Sequence, residues 1–300
     1  MKIRIKNNSI SINLPSPKLK DSEYYTEKPF VIFSNDNFID KAVYSNFILK
    51  MKSLFEDKDW DEGDRGKKRF KFDANRNKDY DELDKVISDF IGIFRTKEFR
   101  HWFKQTHEPF YDMGLLGSVF PKYKLVELIL RAINKISRRV FKSKAFNIYT
   151  TQVEFSKIGL GASLVPHTDS FGKRMALVFY TPFIETTKDM ESQWGTTFWQ
   201  AKSGQKPLRS WTSSHKLEEK ELEDFLNKNE VVKSVYYKPN RVNGFIKSDL
   251  SWHSVEKNVF AENRVAIVIN INDIASTEQD IPLIEDIQAK LLGKNSEVSS

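Results

Sequence analysis

The chain contains no cysteine, which excludes disulfides, thiolate metal sites and a cysteine nucleophile. It also has no apolar run close to the roughly 18 residues that a membrane-spanning helix requires. The opening stretch, MKIRIKNNSISINLPSPK, alternates polar and apolar residues and has no signal-peptide core. A soluble cytoplasmic protein with no membrane partner is the expectation. No helix-turn-helix, zinc-finger or RNP-type signature is present either. The net charge of +7 nonetheless raises the question of nucleic acid. Basic clusters stand at Lys67-Lys68-Arg69 and at Arg138-Arg139 with Lys142 and Lys144, while acidic residues gather elsewhere, as at Glu218-Glu219 and Glu221 to Asp224. Mixed signs of this kind read as a solvated surface, with room for a preference towards an anionic substrate.

What the chain does have is aromatic bulk, with 23 Phe, 10 Tyr and 6 Trp in 300 residues. That is ample for a sizeable core and far from a disordered composition. The pattern changes midway. From residue 35 to 144 the apolar spacing is helical. Phe38, Ile39, Val43, Phe47, Ile48 and Leu54 make one stripe, and Leu83, Val86, Ile87, Phe90, Ile91 and Phe94 make another within residues 80–105. A third helix is expected over 125–141, and residues 56–79 read as a charged loop. From residue 145 the texture is β-rich, with strands expected at 146–155, 175–181, 196–200, 231–237, 241–246 and 264–272. A charged insertion interrupts them at 203–230, with helix expected over 215–229, and a closing helix is expected over 279–292. The expected organisation is a helical supporting region at 1–144, a β core at 145–275, and a helix and tail at 276–300. Together these suggest a single integrated α+β unit.

The chemistry concentrates in His167-Thr168-Asp169, answered much later by His253 and then by Arg264. On an extended strand, residues i and i+2 share a face and lie about 7 Å apart. An imidazole and a carboxylate so placed converge on one ion. With a second histidine they form the minimal set for an open-sided ferrous site. The other histidines, His101, His107 and His215, lack partners at ligand spacing. In the last strand, Val265, Ile267, Ile269 and Ile271 form an aliphatic face. Arg264, Ala266, Val268, Asn270 and Asn272 form a mixed one, suited to the inside of a barrel. A buried Arg needs an anion, and its planar fork matches a carboxylate.

These stretches resemble, in order, the core of the iron(II)- and 2-oxoglutarate-dependent oxygenases, closest in texture to the prolyl-hydroxylase-like branch. The resemblance rests on Phe155 through His167-Thr168-Asp169, Arg174 through Tyr180-Thr181-Pro182, Trp194-Gly195-Thr196-Thr197, Lys238-Pro239-Asn240-Arg241-Val242 and Ser251-Trp252-His253-Ser254-Val255. It covers residues 145–272, and the stretch 92–106 resembles a supporting helix ahead of such cores. It implies a double-stranded β-helix, or jelly roll, carried by N-terminal helices. It also implies Fe(II) held by His167, Asp169 and His253, with 2-oxoglutarate and O2 as cosubstrates. Arg264 would hold the distal carboxylate of 2-oxoglutarate, with a hydroxyl contact from Tyr180. Phe155 stands where many relatives have tyrosine, and Ala266 departs from the Arg-x-Ser of other branches, so two further contacts are missing. Asp169 favours hydroxylation over halogenation, because halogenating relatives replace that carboxylate.

The substrate implied is a small molecule or a peptidyl residue, hydroxylated at an unactivated C–H with release of succinate and CO2. Arg174, Trp194, Trp252, Tyr149 and Thr151 are candidates for touching it, each with plain packing as the simpler role. Oxidative demethylation of nucleic acid is an alternative. That branch carries a second Arg six residues after the first, where this chain has Asn270. A non-catalytic jelly-roll binding protein is the remaining reading.

Overall fold

The computed structural model describes residues 1–4, 10–57, 61–62, 67–73, 83–107, 149–169, 173–209 and 217–273. The helices expected over 125–141 and 279–292, and His215, lie outside the described residues. Two antiparallel sheets dominate. Fourteen strands are described: β1 (Lys2–Arg4), β2 (Ser11–Asn13), β3 (Tyr24–Thr26), β4 (Ile32–Asn35), β5 (Asp61–Glu62), β6 (Lys67–Asp73), β7 (Tyr149–Ile158), β8 (Leu164–His167), β9 (Lys173–Tyr180), β10 (Thr196–Ala201), β11 (Asn229–Val235), β12 (Val242–Ile246), β13 (His253–Val255) and β14 (Arg264–Asp273). The eight-stranded sheet runs β3-β4-β12-β9-β14-β7-β6-β5, and the four-stranded sheet runs β11-β10-β13-β8. From β7 onward the chain passes repeatedly between them. β7, β9, β12 and β14 join the large sheet, while β8, β10, β11 and β13 join the small one.

The alternation of side chains along each strand sends residues to two different cores. On one face of the large sheet, Val153, Phe155, Met175, Leu177, Phe179, Val265, Ile267, Ile269 and Ile271 are buried together with helical residues. The helices are α1 (Lys41–Asp57), α2 (Lys85–Ile93) and α3 (Lys97–His107). Phe47 and Phe90 meet at 4.9 Å between ring centroids, and both lie close to Phe179. Asp84 starts α2 by accepting a hydrogen bond from the Val86 amide at 2.9 Å, satisfying one of the first-turn donors. On the opposite face, Ala176, Val178, Tyr180, Phe245 and Ala266 pack with Trp194, Phe198, Val235 and Tyr237 from around the small sheet. Phe198 and Phe245 bridge the two sheets at 5.6 Å.

Several expectations are corrected by these elements. Residues 61–62 and 67–73 are not loop. β5 and β6 pair antiparallel and extend the large sheet, with Phe70 opposite Phe155 and Phe72 opposite Val153. The sequence does alternate there, as Phe70-Lys71-Phe72, but its charge masks the period of two. α1 begins at Lys41, because Ile39 is still extended and bridges to Ile12. A short helix, α4 (Lys188–Gln193), precedes β10, and the charged insertion folds as α5 (Glu219–Lys228), opened by a capping box between Glu218 and Glu221. None of the described helices is long and apolar enough to cross a membrane.

The Asn240-Arg241 pair turns out to pin the first strands to the core. Asn240 adopts a positive φ of 60° at the β11–β12 turn, a conformation Asn tolerates better than most residues. Its amide accepts from the Ile39 N–H at 2.7 Å and donates to the Ile39 carbonyl at 2.8 Å. Arg241 grips both carboxylate oxygens of Asp36.

Candidate metal centre

β8 and β13 pair so that His167 stands opposite His253. Their rings lie 4.3 Å apart between centroids. Asp169 lies just beyond the end of β8, so the His-x-Asp pair is not wholly strand-borne. The two residues beyond the end of the strand, and not the ladder itself, bring the carboxylate in. Ligand atoms of His167, Asp169 and His253 all lie within 4.8 Å of one another.

Each imidazole is oriented by its own backbone. His167 Nδ1 lies 2.8 Å from the Val165 carbonyl, and His253 Nδ1 lies 3.0 Å from the Ser251 carbonyl. A carbonyl only accepts, so Nδ1 carries the proton and Nε2 carries the lone pair. Burial lowers the His253 pKa below the ordinary histidine range, with Asp169 opposing that shift. Burial would raise the Asp169 pKa, but Lys173, His253 and His167 outweigh it and hold the carboxyl well below the ordinary range. The site therefore presents a carboxylate at Asp169 and, at His253, an imidazole that burial biases towards its neutral form. Oδ1 of Asp169 accepts from Lys173 Nζ at 2.6 Å. Oδ2 is buried with no hydrogen-bond partner. A buried carboxylate oxygen left this way is costly unless a cation meets it. The donor set and the orphaned oxygen fit a divalent metal with borderline N/O preference, such as ferrous iron.

Arg264 opens β14 on the inner face and is 3% exposed. Its Nε donates to the Trp194 carbonyl at 2.6 Å, and its guanidinium lies 5.7 Å from the rings of both Tyr180 and Tyr237. Among the described residues no Asp or Glu carboxylate pairs with it, so a structural salt bridge does not account for its burial. The Tyr180 hydroxyl lies 2.8 Å from Thr196 Oγ1. Trp194 is wholly buried, and its indole N–H donates to Asn258 at 2.9 Å. It thus positions Arg264 through its carbonyl. Gly195 follows because a Cβ there would lie 2.6 Å from the Val235 carbonyl oxygen.

The remaining substrate candidates lie elsewhere. Trp252 packs on Phe225 of α5 at 4.9 Å and donates to the Leu208 carbonyl at 2.8 Å, away from the triad beside it in sequence. Thr151 shares its strand face with Val153 and Phe155, which belong to the helix-packed core. Tyr149 opens β7 opposite Asp273. Phe155 lies 6.3 Å from Phe55 of α1, so a tyrosine here would reach the helices and not a cosubstrate. Arg174 is the unmatched residue of a β-bulge, since Ile271 pairs with Met175 and Asn272 with Lys173. Its charge is felt by His107 at the end of α3, on the helix side.

Three inner-face residues escaped the sequence reading. Lys173 has already been placed against Asp169. Lys247, 5% exposed, follows Phe245, whose ring lies 4.6 Å from that of His253. Burial lowers its pKa to about 8, with Asp169 and Asp249 opposing the shift. Asn243, on the same face of β12 and beside the Tyr180 hydroxyl, is wholly buried, and its amide makes no hydrogen bond of ordinary geometry. A lysine or asparagine inside a β-rich run was the available signal.

No protein-family model matches the chain, and no curated protein matches it. Among solved structures the chain is similar to a prolyl-4-hydroxylase of Pseudomonas putida, at 9% identity and a TM-score of 0.45, covering 81% of this chain and 92% of that one. It is similar to a prolyl hydroxylase of Trichoplax adhaerens in complex with a hypoxia inducible factor peptide fragment, at 11% identity and a TM-score of 0.46, covering 84% and 86%. It is also similar to the epimerase SnoN in complex with Fe3+, alpha ketoglutarate and nogalamycin RO, at 9% identity and a TM-score of 0.45, covering 90% and 87%. At such identities, the role of each residue rests on this chain's own geometry.

Proposed function

We propose that the protein is an Fe(II)- and 2-oxoglutarate-dependent dioxygenase built on a double-stranded β-helix. The observation that carries this reading is the largely buried His167-Asp169-His253 cluster, with an orphaned carboxylate oxygen, on the same inner side as a buried arginine that has no carboxylate partner among the described residues. The strand alternation between the two sheets supports the β-helix part of the reading. Iron bound at the triad supplies the power to oxidise an unactivated C–H bond, with O2 as oxidant and 2-oxoglutarate consumed to succinate and CO2.

The protein's own share is placement. His167 and His253 offer Nε2 because their Nδ1 protons are held by backbone carbonyls. Arg264 receives the distal carboxylate of 2-oxoglutarate as a charge-assisted pair, with Tyr180 and Thr196 offering hydroxyls beside it. Phe198 and Phe245 line the interior by His253 and exclude water there. The substrate is a small molecule or a peptidyl residue. Hydroxylation is the reaction a carboxylate-bearing triad favours.

The test is anaerobic. Adding Fe(II) and then 2-oxoglutarate to the whole protein produces a visible charge-transfer band. His253→Ala abolishes the band. Arg264→Ala raises the 2-oxoglutarate concentration needed by roughly 30-fold or more, the cost of losing a buried charge-assisted pair. A folded wild-type protein that gives no band refutes the proposal.

A further inference from the structure

Lys173 has no part in the ligand set, yet its ammonium reaches into the site. Along an unbroken strand it would share a face with Met175, which is buried among the helices. The bulge at Arg174 removes one step of alternation, so Lys173 falls on the inner face. There its Nζ meets Oδ1 of Asp169 at 2.6 Å, with both side chains nearly buried. The other oxygen, Oδ2, is left turned towards His253, 3.9 Å from Nε2. Holding a lysine beside a metal site is electrostatically costly, because its charge opposes the incoming cation. Such a contact persists only if it does something else.

We propose that Lys173 is the positioning residue of the metal site: by occupying Oδ1 it restricts Asp169 to ligation through Oδ2 alone. A carboxylate free to turn would chelate with both oxygens and take a coordination position. The keto acid needs two adjacent open positions for its own chelation. Lys173 therefore protects cosubstrate binding, not metal binding. This inference rests on the proposed function above.

Cobalt(II) is the probe, because it reports coordination by its visible spectrum without turnover. Wild type, Lys173→Met and Lys173→Arg are each titrated with Co(II), then with 2-oxoglutarate. Lys173→Met binds Co(II) as tightly as wild type or more tightly, but needs roughly 10- to 100-fold more 2-oxoglutarate, taking the size of effect that ligand-orienting partners have on metal affinity or activity as the scale. Lys173→Arg restores wild-type behaviour on both counts. A purely structural prop would instead weaken both affinities together, and that result overturns the proposal. So does a Lys173→Met protein that binds 2-oxoglutarate like wild type. Should Lys173→Met not fold, infrared difference spectra of wild type, with the aspartates isotopically labelled, decide the matter. The separation of the carboxylate stretches gives one-oxygen ligation as expected, and two-oxygen ligation refutes the idea. A folded wild-type protein that binds no Co(II) is a different outcome, and it removes the proposed function itself.

Discussion

The two faces of strand β14 differ more than any two regions of the molecule, although they share one backbone. Val265, Ile267, Ile269 and Ile271 are buried against helices α1 to α3. Arg264, Ala266, Val268 and Asn270 look the other way, towards the triad and the aromatic wall. The first face is closed and apolar, and the helix-side core grows from it. The second carries a buried cation, and Asn270 Oδ1 and both polar atoms of the Asn243 amide make no hydrogen bond of ordinary geometry. Such atoms destabilise a fold. Standing beside a buried cation and the triad, these atoms suit a face arranged for a ligand, while the apolar burial that stabilises the fold is generated a few ångströms away.

Adjacent residues on β14 give the sharpest way to break the contrast. Ile269→Asn places an amide in the helix-side core and is expected to cost about 5 kcal/mol, from lost burial plus an unsatisfied polar group. Chemical denaturation measures it. A cost under 1 kcal/mol would mean that the helix side is not the stabilising face.

The next effect concerns pH. His107 closes α3 in the helix-side core, and burial, with the nearby Arg174 charge, lowers its pKa to about 3. Its folded pKa lies below the ordinary value near 6.5, so the unfolded state binds the proton first and stability falls as pH drops below that value. Between pH 6.5 and pH 5 the loss is about 2 kcal/mol. His107→Phe removes this part of the acid sensitivity. Equal slopes of stability against pH for the two proteins would contradict the assignment.

The smallest expected effect has the opposite sign. Asn270→Leu relieves an unsatisfied buried oxygen on the ligand face, raising stability by up to about 1 kcal/mol. If the inner face is built for a ligand, the same variant binds 2-oxoglutarate or substrate less well. A destabilised Asn270→Leu protein would show that the inner face contributes to folding as the outer face does.

Much of this was legible in the residues. The alternation of β14 separated its two faces correctly, because a period of two on a buried strand leaves little freedom. The ordered spacing of His167, Asp169, His253 and Arg264 pointed to a single site, since those side chains have little reason to recur in that order otherwise. The surroundings of Trp252 and Thr151 were not legible, because adjacency to a ligand, or membership of a strand, does not say which face a side chain takes. The β5–β6 pairing was hidden by the lysines of β6, which mask its period of two.

The sequence alone determined which residues have the chemistry for a metal, and where apolar periodicity demands helix or strand, because both are local properties of residue type and spacing. Only the tertiary structure decided that Asp169 converges from beyond its strand. It alone showed that a bulge at Arg174 turns Lys173 inward, and that no carboxylate among the described residues claims Arg264. Those facts depend on register and on which surfaces meet, and a single unmatched residue in a ladder reverses the face of everything before it.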